Sequence, residues 1–294
     1  MAPGKLPITD ARGLRQALTD ANLPTLLMVY VQYTQDEAYL ERFAPCIRSM
    51  FSIEPTSVPE ELAADLRERL FELLTRAEPP QERALSREFV RRMMSVSVGE
   101  EVAAEQVPVL YDQMAFEKPV PRRELPGRKQ PPAGFRVAVI GAGMGGIAAG
   151  VKLDEAGYDF TIIEKNADFG GTWLENVYPG VAVDTPSHFY SFSFEQHPDW
   201  SSYYPKGAEI ERYLLGVAKK YGLRDKVLFN TRVLGCAWDE AKQLWRVTTA
   251  SAGQEQVLEF NAVINAHGVL NRWSMPDIPG LGNFKGPAMH SAGW

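Results

Sequence analysis

Along residues 1–116, apolar positions recur every three or four residues, the spacing of helices that bury one face. The clearest run is "SVPEELAADLRERLFELLTR", in which Leu62, Leu66, Leu70 and Leu73 share a face and Arg and Glu fill the other. Ser57 and Glu60 stand at capping-box spacing, and Pro59 falls where a first turn tolerates a missing N–H, so a helix is expected to begin here. "DARGLRQALTDANL" predicts a shorter helix with Leu14 and Leu18 one turn apart, and "SREFVRRMM" predicts another. "PTLLMVYVQYTQDEAYLERF" contains a β-branched run compatible with a strand, but Pro24 at its start and its length favour a helix. The region shows no catalytic constellation. The first histidine is His188, and the acids stand mostly beside Arg on helix faces. It reads as a solvated all-α extension, or as an appendage that packs on a neighbouring subunit or domain.

Residues 117–134, "EKPVPRRELPGRKQPPAG", are dense in Pro and charge and predict a semi-extended linker. From Phe135 the periodicity changes. "FRVAVI" is a continuous apolar run, as in a strand buried on both faces. "GAGMGGIAAGVKLDEAG" predicts a turn and a helix, and "DFTIIE" a second buried strand. Together they form a βαβ unit, whose strands should be parallel and whose crossover should be right-handed. Further on, "LWRVTTA" and "QVLEFNAV" flank the turn signal "SAGQ", giving a β-meander before a last strand, "AVINAHG".

Composition changes this picture little. The 294 residues, 45% hydrophobic and 23% charged, can fill about two globular domains. The net charge of −6 argues against nucleic acid as a partner, which calls for a basic face. The N-terminus "MAPGKLPITDARG" shows no secretory h-region, and the run "LLMVYV" is too short to span a bilayer, so no membrane partner is expected. Cys46 and Cys236 are the two cysteines; far apart, they make a disulfide framework or a cysteine zinc site unexpected and fit a reducing cytoplasm. His188 and His197 match no metal-ligand spacing, and no metal is expected.

The chemistry is carried by the βαβ unit. Gly141, Gly143 and Gly146 give G-x-G-x-x-G between a strand and a helix. In that context the first glycine permits the tight turn, the second lets backbone approach a pyrophosphate, and the third lets helix pack on strand. Glu164, at the end of the second strand, is placed to accept hydrogen bonds from an adenosine ribose and would repel a 2′-phosphate, so FAD or NAD is expected here and not NADP. The next stretch, "KNADFGGTWLENVYPGVAVDTPSHFYSFSF", breaks the strand–helix alternation with a long loop. Gly170 and Gly171 allow close approach to a ligand, and Trp173, Tyr178 and Tyr190 are candidates to wall a flat ring system, simple packing being the alternative for Tyr190. This favours FAD.

From Phe135 onward the chain resembles the N-terminal FAD-binding segment of class B flavoprotein monooxygenases, specifically the Baeyer–Villiger monooxygenases. The resemblance rests on the glycine fingerprint with Glu164, on "GGTW" followed by "YPGVAVD", on Ala266-His267-Gly268, where the family more often has a central Thr, and on Phe284, Gly286, His290 and Trp294, which match F-x-G-x-x-x-H-x-x-x-W-P up to its final Pro. The helical extension is similar to that of the 4-hydroxyacetophenone monooxygenase branch. The implied fold is α/β, a Rossmann-like, glutathione-reductase-type FAD domain with a β-meander (135–294, incomplete), ending in the linker toward an NADPH domain that this chain lacks. The implied reaction is NADPH-dependent insertion of one oxygen atom of O2 beside a ketone carbonyl, an aryl ketone being one option, through a C4a-peroxyflavin. The resemblance further implies that Gly141, Gly143, Met144, Gly146, Glu164, Lys165, Gly171, Thr172, Trp173, Asp184, Tyr190, Val233, Ala266 and Gly268 bind cofactor. It makes Asp184 the catalytic candidate, orienting an Arg of the NADPH domain, although an Asp before Thr-Pro is also a common turn residue. His290 is expected to fix its loop or sense NADPH rather than act as an acid or base, and the extension is a candidate homodimer element. Oxygenation of nitrogen or sulfur, or a non-catalytic FAD-binding module, are the alternatives.

Overall fold

The computed structural model describes residues 8–49, 52–78, 84–113 and 130–294. The chain divides into two compact units, Met1–Phe116 and Glu117–Trp294. Of the linker expected at 117–134, residues 117–129 lie outside the described residues.

The first unit is helical: α1 (Ala11–Asp20), α2 (Leu23–Thr34), α3 (Glu37–Phe43), α4 (Glu60–Thr75), α5 (Arg87–Val98) and α6 (Val107–Gln113). The apolar stripes meet in one core, where Leu27, Val31, Leu40, Phe43, Leu66 and Leu70 are fully buried or nearly so. The segment 24–43 with its β-branched run is helical, as Pro24 in the first turn of α2 required, but it is two helices. Gln35 takes a left-handed conformation (φ 56°), and Asp36 then caps α3 by accepting from the Tyr39 N–H at 2.9 Å. The capping box expected at Ser57 and Glu60 does not form. α4 starts one residue after Pro59, no side chain caps it, and Glu60 instead reaches Arg67 at 3.3 Å. The fixed φ of proline sets the helix entry here without a side-chain hydrogen bond. Arg15 grips Glu68 through both guanidinium nitrogens (2.7 and 3.0 Å), tying α1 to α4, and Arg92 holds Glu41 in the same way (2.6 and 2.5 Å), tying α5 to α3.

The second unit is α/β. Four parallel strands lie in the order β3 (Val227–Leu228), β2 (Asp159–Ile163), β1 (Arg136–Ile140), β7 (Ala262–Asn265). Strands β1 and β2 flank α7 (Met144–Glu155), the expected βαβ unit. Alternation along the strands assigns two faces. Val137, Val139, Phe160 and Ile162 pack in a core with residues of α7 and of α9 (Gly207–Lys220), while Ala138 and Ile163 meet Val247 and Phe260. Those last two belong to the antiparallel meander β4 (Arg232–Asp239), β5 (Leu244–Ser251), β6 (Gln254–Phe260). The order is therefore helices, parallel sheet, meander. The β5–β6 hairpin turns at Ala252 and Gly253, both at positive φ (49° and 77°), inside the expected "SAGQ". Among the described residues, no helix is long and apolar enough to cross a membrane.

Candidate functional site: a cavity at the carboxyl ends of the sheet

The carboxyl ends of β1, β2 and β7 open onto a cavity of 780 Å³. In an open parallel sheet this is the edge where ligands bind. Its floor is the glycine loop. Gly141 has φ 100°, and a Cβ there would lie 2.7 Å from the Ala266 carbonyl oxygen. Gly146 lies beneath the loop rather than on the cavity wall; a Cβ there would come within 1.9 Å of the Gly141 carbonyl oxygen. Gly143 and Gly171 face each other, and a Cβ on Gly171 would lie 2.9 Å from the Gly143 Cα. Side chains at these positions would fill the cradle, so the glycines keep it open for a ligand. No side chain caps α7 at Gly143, which leaves its first amide N–H groups and the positive end of its dipole for an anion.

Glu164 is 4% exposed, and both carboxylate oxygens are engaged. The Ala142 N–H donates to one at 2.7 Å and the Asn166 N–H to the other at 2.8 Å. The acid therefore braces the glycine loop as well as lining the cavity, and each oxygen retains a second lone pair with which to accept a further hydrogen bond. This bracing role was not foreseen from the sequence.

Beside it, Lys165 Nζ reaches Glu175 at 2.8 Å and donates to Asn271 Oδ1 at 2.7 Å, and Asn166 donates to the same Glu175 at 2.7 Å. Glu175 belongs to the short helix α8 (Thr172–Glu175), and Asn271 follows β7. These three contacts close one wall of the cavity. A second wall is aromatic. Trp173, 8% exposed, donates its indole N–H to the Tyr190 hydroxyl at 3.1 Å, and the rings stand edge to face with centroids 5.6 Å apart.

Of the residues expected to bind cofactor, Gly141, Gly143, Met144, Glu164, Lys165, Gly171, Thr172, Trp173, Tyr190, Val233, Ala266 and Gly268 line this cavity. Asp184 does not. It is exposed, with Thr185 Oγ1 3.4 Å from its carboxylate. Phe284, Gly286, His290 and Trp294 also lie off the lining. Trp294 is exposed, while the Phe284 ring occupies the space a Gly286 side chain would need and His290 stacks on Trp273 with centroids 5.0 Å apart. Sequence reading missed Arg232, Cys236 and Trp245 of the meander and Arg272 after β7, all cavity-lining. Partial desolvation raises the Cys236 thiol above its ordinary range, although the residue as a whole is exposed. Among the described residues, no group of His, Cys, Asp and Glu could hold a metal ion.

The NAD(P)-binding Rossmann-like domain family matches residues 139–206, which include the glycine loop and the aromatic loop. The FAD-binding monooxygenase tazF of Aspergillus terreus is 46% identical over 167 residues, 55% of this chain and 30% of that protein. A Baeyer–Villiger monooxygenase of Streptomyces coelicolor is 42% identical over 160 residues, 54% of this chain and 30% of its own length. An uncharacterized monooxygenase, y4iD, of Sinorhizobium fredii is 33% identical over 289 residues, 96% of this chain and 42% of that protein, so that likeness takes in the helical unit as well. The chain spans less than half the length of these relatives. The α/β unit carries the Rossmann-like fold, and its sequence is similar to those of proteins named FAD-binding monooxygenase and Baeyer–Villiger monooxygenase.

Proposed function

We propose that this chain is the FAD-binding part of an NADPH-dependent monooxygenase that oxygenates ketones to esters or lactones. The observation that carries the reading is the continuity of three features in one cavity: an uncapped helix N-terminus above an open glycine cradle, a buried acid at the ribose position, and an edge-to-face Trp–Tyr wall. FAD would rest its diphosphate on the amides of the Gly141–Gly143 loop and its ribose hydroxyls on Glu164, in line with the names of the relatives. Bound there, the flavin supplies two-electron redox chemistry with NADPH and O2; one oxygen atom enters the ketone and the other leaves as water.

The chain's own part is placement and exclusion of water. Gly143 and Gly171 let backbone meet the ligand without side chains between. Trp173, held by Tyr190, presents an apolar wall that limits water access to the ring system. The Lys165–Glu175–Asn271 contacts tie the segment after β7 to the loop after β2. On this reading Asp184, whose side chain is exposed outside the cavity, orients an active-site Arg of the NADPH domain. Extending the substrate class to aryl ketones, and reading the helical unit as a homodimer contact, rest on the resemblance of that unit to the extension of the 4-hydroxyacetophenone monooxygenase branch.

Two measurements test this. Titration of the purified chain with FAD should give stoichiometric binding with quenched flavin fluorescence. In the intact gene product, NADPH consumption with an aryl ketone should yield an ester by mass spectrometry. Oxidation of an aryl sulfide with no ester from any ketone would move the reading to sulfur or nitrogen oxygenation. FAD binding without NADPH oxidation would leave a non-catalytic flavin module.

A further inference from the structure

The strand that returns beside β1 delivers a histidine to the rim of the cradle. Asn265, the last residue of β7, pairs with Ile140, the last of β1. The backbone then passes the first glycine closely: a Cβ on Gly141 would lie 3.2 Å from the His267 Cα, and one on Gly145 would lie 3.6 Å from the Ala266 Cβ. His267 thus stands next to the N-terminus of α7, where an anionic diphosphate is best held, and both Asn265 and His267 line the cavity.

The ring is fixed by Asn265. His267 Nδ1 lies 2.6 Å from Asn265 Oδ1, and the His267 backbone N–H points to the same oxygen at 3.4 Å. A carboxamide oxygen only accepts, so Nδ1 carries the proton of the neutral ring. The other nitrogen, Nε2, is then a bare lone pair, which a phosphate oxygen avoids. Protonation converts Nε2 to a donor and leaves the Asn265 bond in place. We propose that His267 is a ligand-contacting residue of this cavity, giving the cofactor's diphosphate a hydrogen bond that exists only when Nε2 is protonated, and that Asn265 is the positioning residue that makes it so. The Thr that the family resemblance leads one to expect here has no such equilibrium.

The other titratable groups lining the cavity are Glu164 and Lys165 at the end of β2, Glu175 of α8, Tyr190 of the aromatic wall, Arg232 and Cys236 of β4, and Arg272 beyond β7. Among these side-chain types, the imidazole is the one whose charge ordinarily changes between about pH 5 and 8. A dinucleotide's diphosphate diester is ionised throughout that range. A pH trend in affinity over that window therefore reports on His267.

The proposal rests on the FAD reading, and the experiment separates the two. The purified chain is titrated from about pH 5.5 to 8.5 with three probes: FAD, ADP-ribose, which keeps the diphosphate diester without the flavin, and riboflavin, which lacks the diphosphate. FAD and ADP-ribose should bind roughly tenfold tighter at the acid end, the worth of one charge-assisted hydrogen bond, and riboflavin should show no trend. His267→Gln should flatten the FAD and ADP-ribose profiles. Asn265→Asp, which puts a carboxylate on Nδ1 and favours the imidazolium, should carry the tighter binding to higher pH. An unchanged slope in His267→Gln, a flat wild-type profile, or a riboflavin trend equal to that of FAD overturns the assignment while the cofactor reading stands. Absence of FAD and ADP-ribose binding at every pH overturns both.

Discussion

Replacing Gly146 with alanine tests the architecture of the cradle at one atom. The added Cβ would come within 1.9 Å of the Gly141 carbonyl oxygen and 2.8 Å of its carbon. Carbon–oxygen contacts settle near about 3.3 Å, so α7 and the glycine loop must separate by roughly 1.4 Å. Both partners are backbone, and neither has a rotamer through which to yield. Overpacking of this kind costs about 1–3 kcal/mol, and the helix propensity of alanine returns less than about 1 kcal/mol of it. A net loss of about 1–2 kcal/mol in a unit of this size lowers the melting temperature by roughly 2–8 °C. The same shift moves the amides that meet the diphosphate, so FAD affinity should fall at least about tenfold. Gly216→Ala is the matched control. It lies within α9 with nothing within 4 Å of a Cβ, and alanine there should raise stability by about 0.5–1 kcal/mol. Thermal melts and fluorescence titration of both variants decide the matter. A Gly146→Ala protein that melts with the wild type and binds FAD unchanged would refute the reasoning.

Three further outcomes are expected. Glu164→Gln replaces an acceptor of the Ala142 and Asn166 N–H groups with an amide that presents donors on one arm, so it should cost about 1–3 kcal/mol in denaturant titrations and weaken FAD binding with it. Tyr213 is buried, accepts from the Phe192 N–H at 2.8 Å, donates to the Glu195 carbonyl at 2.6 Å, and is pushed up to about 12, chiefly by burial. A hydroxyl raised in the folded state stabilises fully below its unfolded value of about 10 and loses that contribution as pH rises toward 12. Tyr213→Phe should therefore be less stable at neutral pH and show a shallower fall above it in pH-dependent melts, with Tyr221, also pushed up to about 12, and Tyr39, also raised, both mainly by burial, keeping part of the slope. Ala252→Asn should stabilise the meander by about 0.5–1 kcal/mol, because Ala252 sits at φ 49° in a two-residue turn where asparagine is favoured; a thermal melt checks it.

The sequence displayed most of the second unit because its signals are local and redundant. "FRVAVI", the three glycines and "DFTIIE" each bias one element, and together they leave one topology; the meander and return strand follow from alternation and a turn signal. In the first unit the stripes named the helices but not every end. A capping pattern at Ser57 and Glu60 was overridden by Pro59, whose ring already directs the chain into α4. What stayed hidden in the site is non-local. Asn271 meets Lys165 across 106 positions, and Arg232, Cys236 and Trp245 reach the cavity because the meander packs on the sheet face that Ala138 and Ile163 present. Glu164 was legible as an acid at a strand end, but its grip on the Ala142 amide depends on how the loop folds back. Asp184 illustrates the opposite limit: its register beside "YPG" is clear in the sequence, and the structure sets it at an exposed position away from the cavity lining.

The central claim is that an anionic dinucleotide lies on the amides of the glycine loop with its flavin against Trp173. Calorimetric titration of FAD into the purified chain, alongside a Gly143→Leu variant that puts a side chain into the cradle opposite Gly171, tests it most directly. The account predicts stoichiometric binding by the wild type, quenching of both flavin and tryptophan fluorescence, and loss of binding in the variant. A wild-type chain that takes up no FAD, or a variant that takes it up equally well, would contradict it.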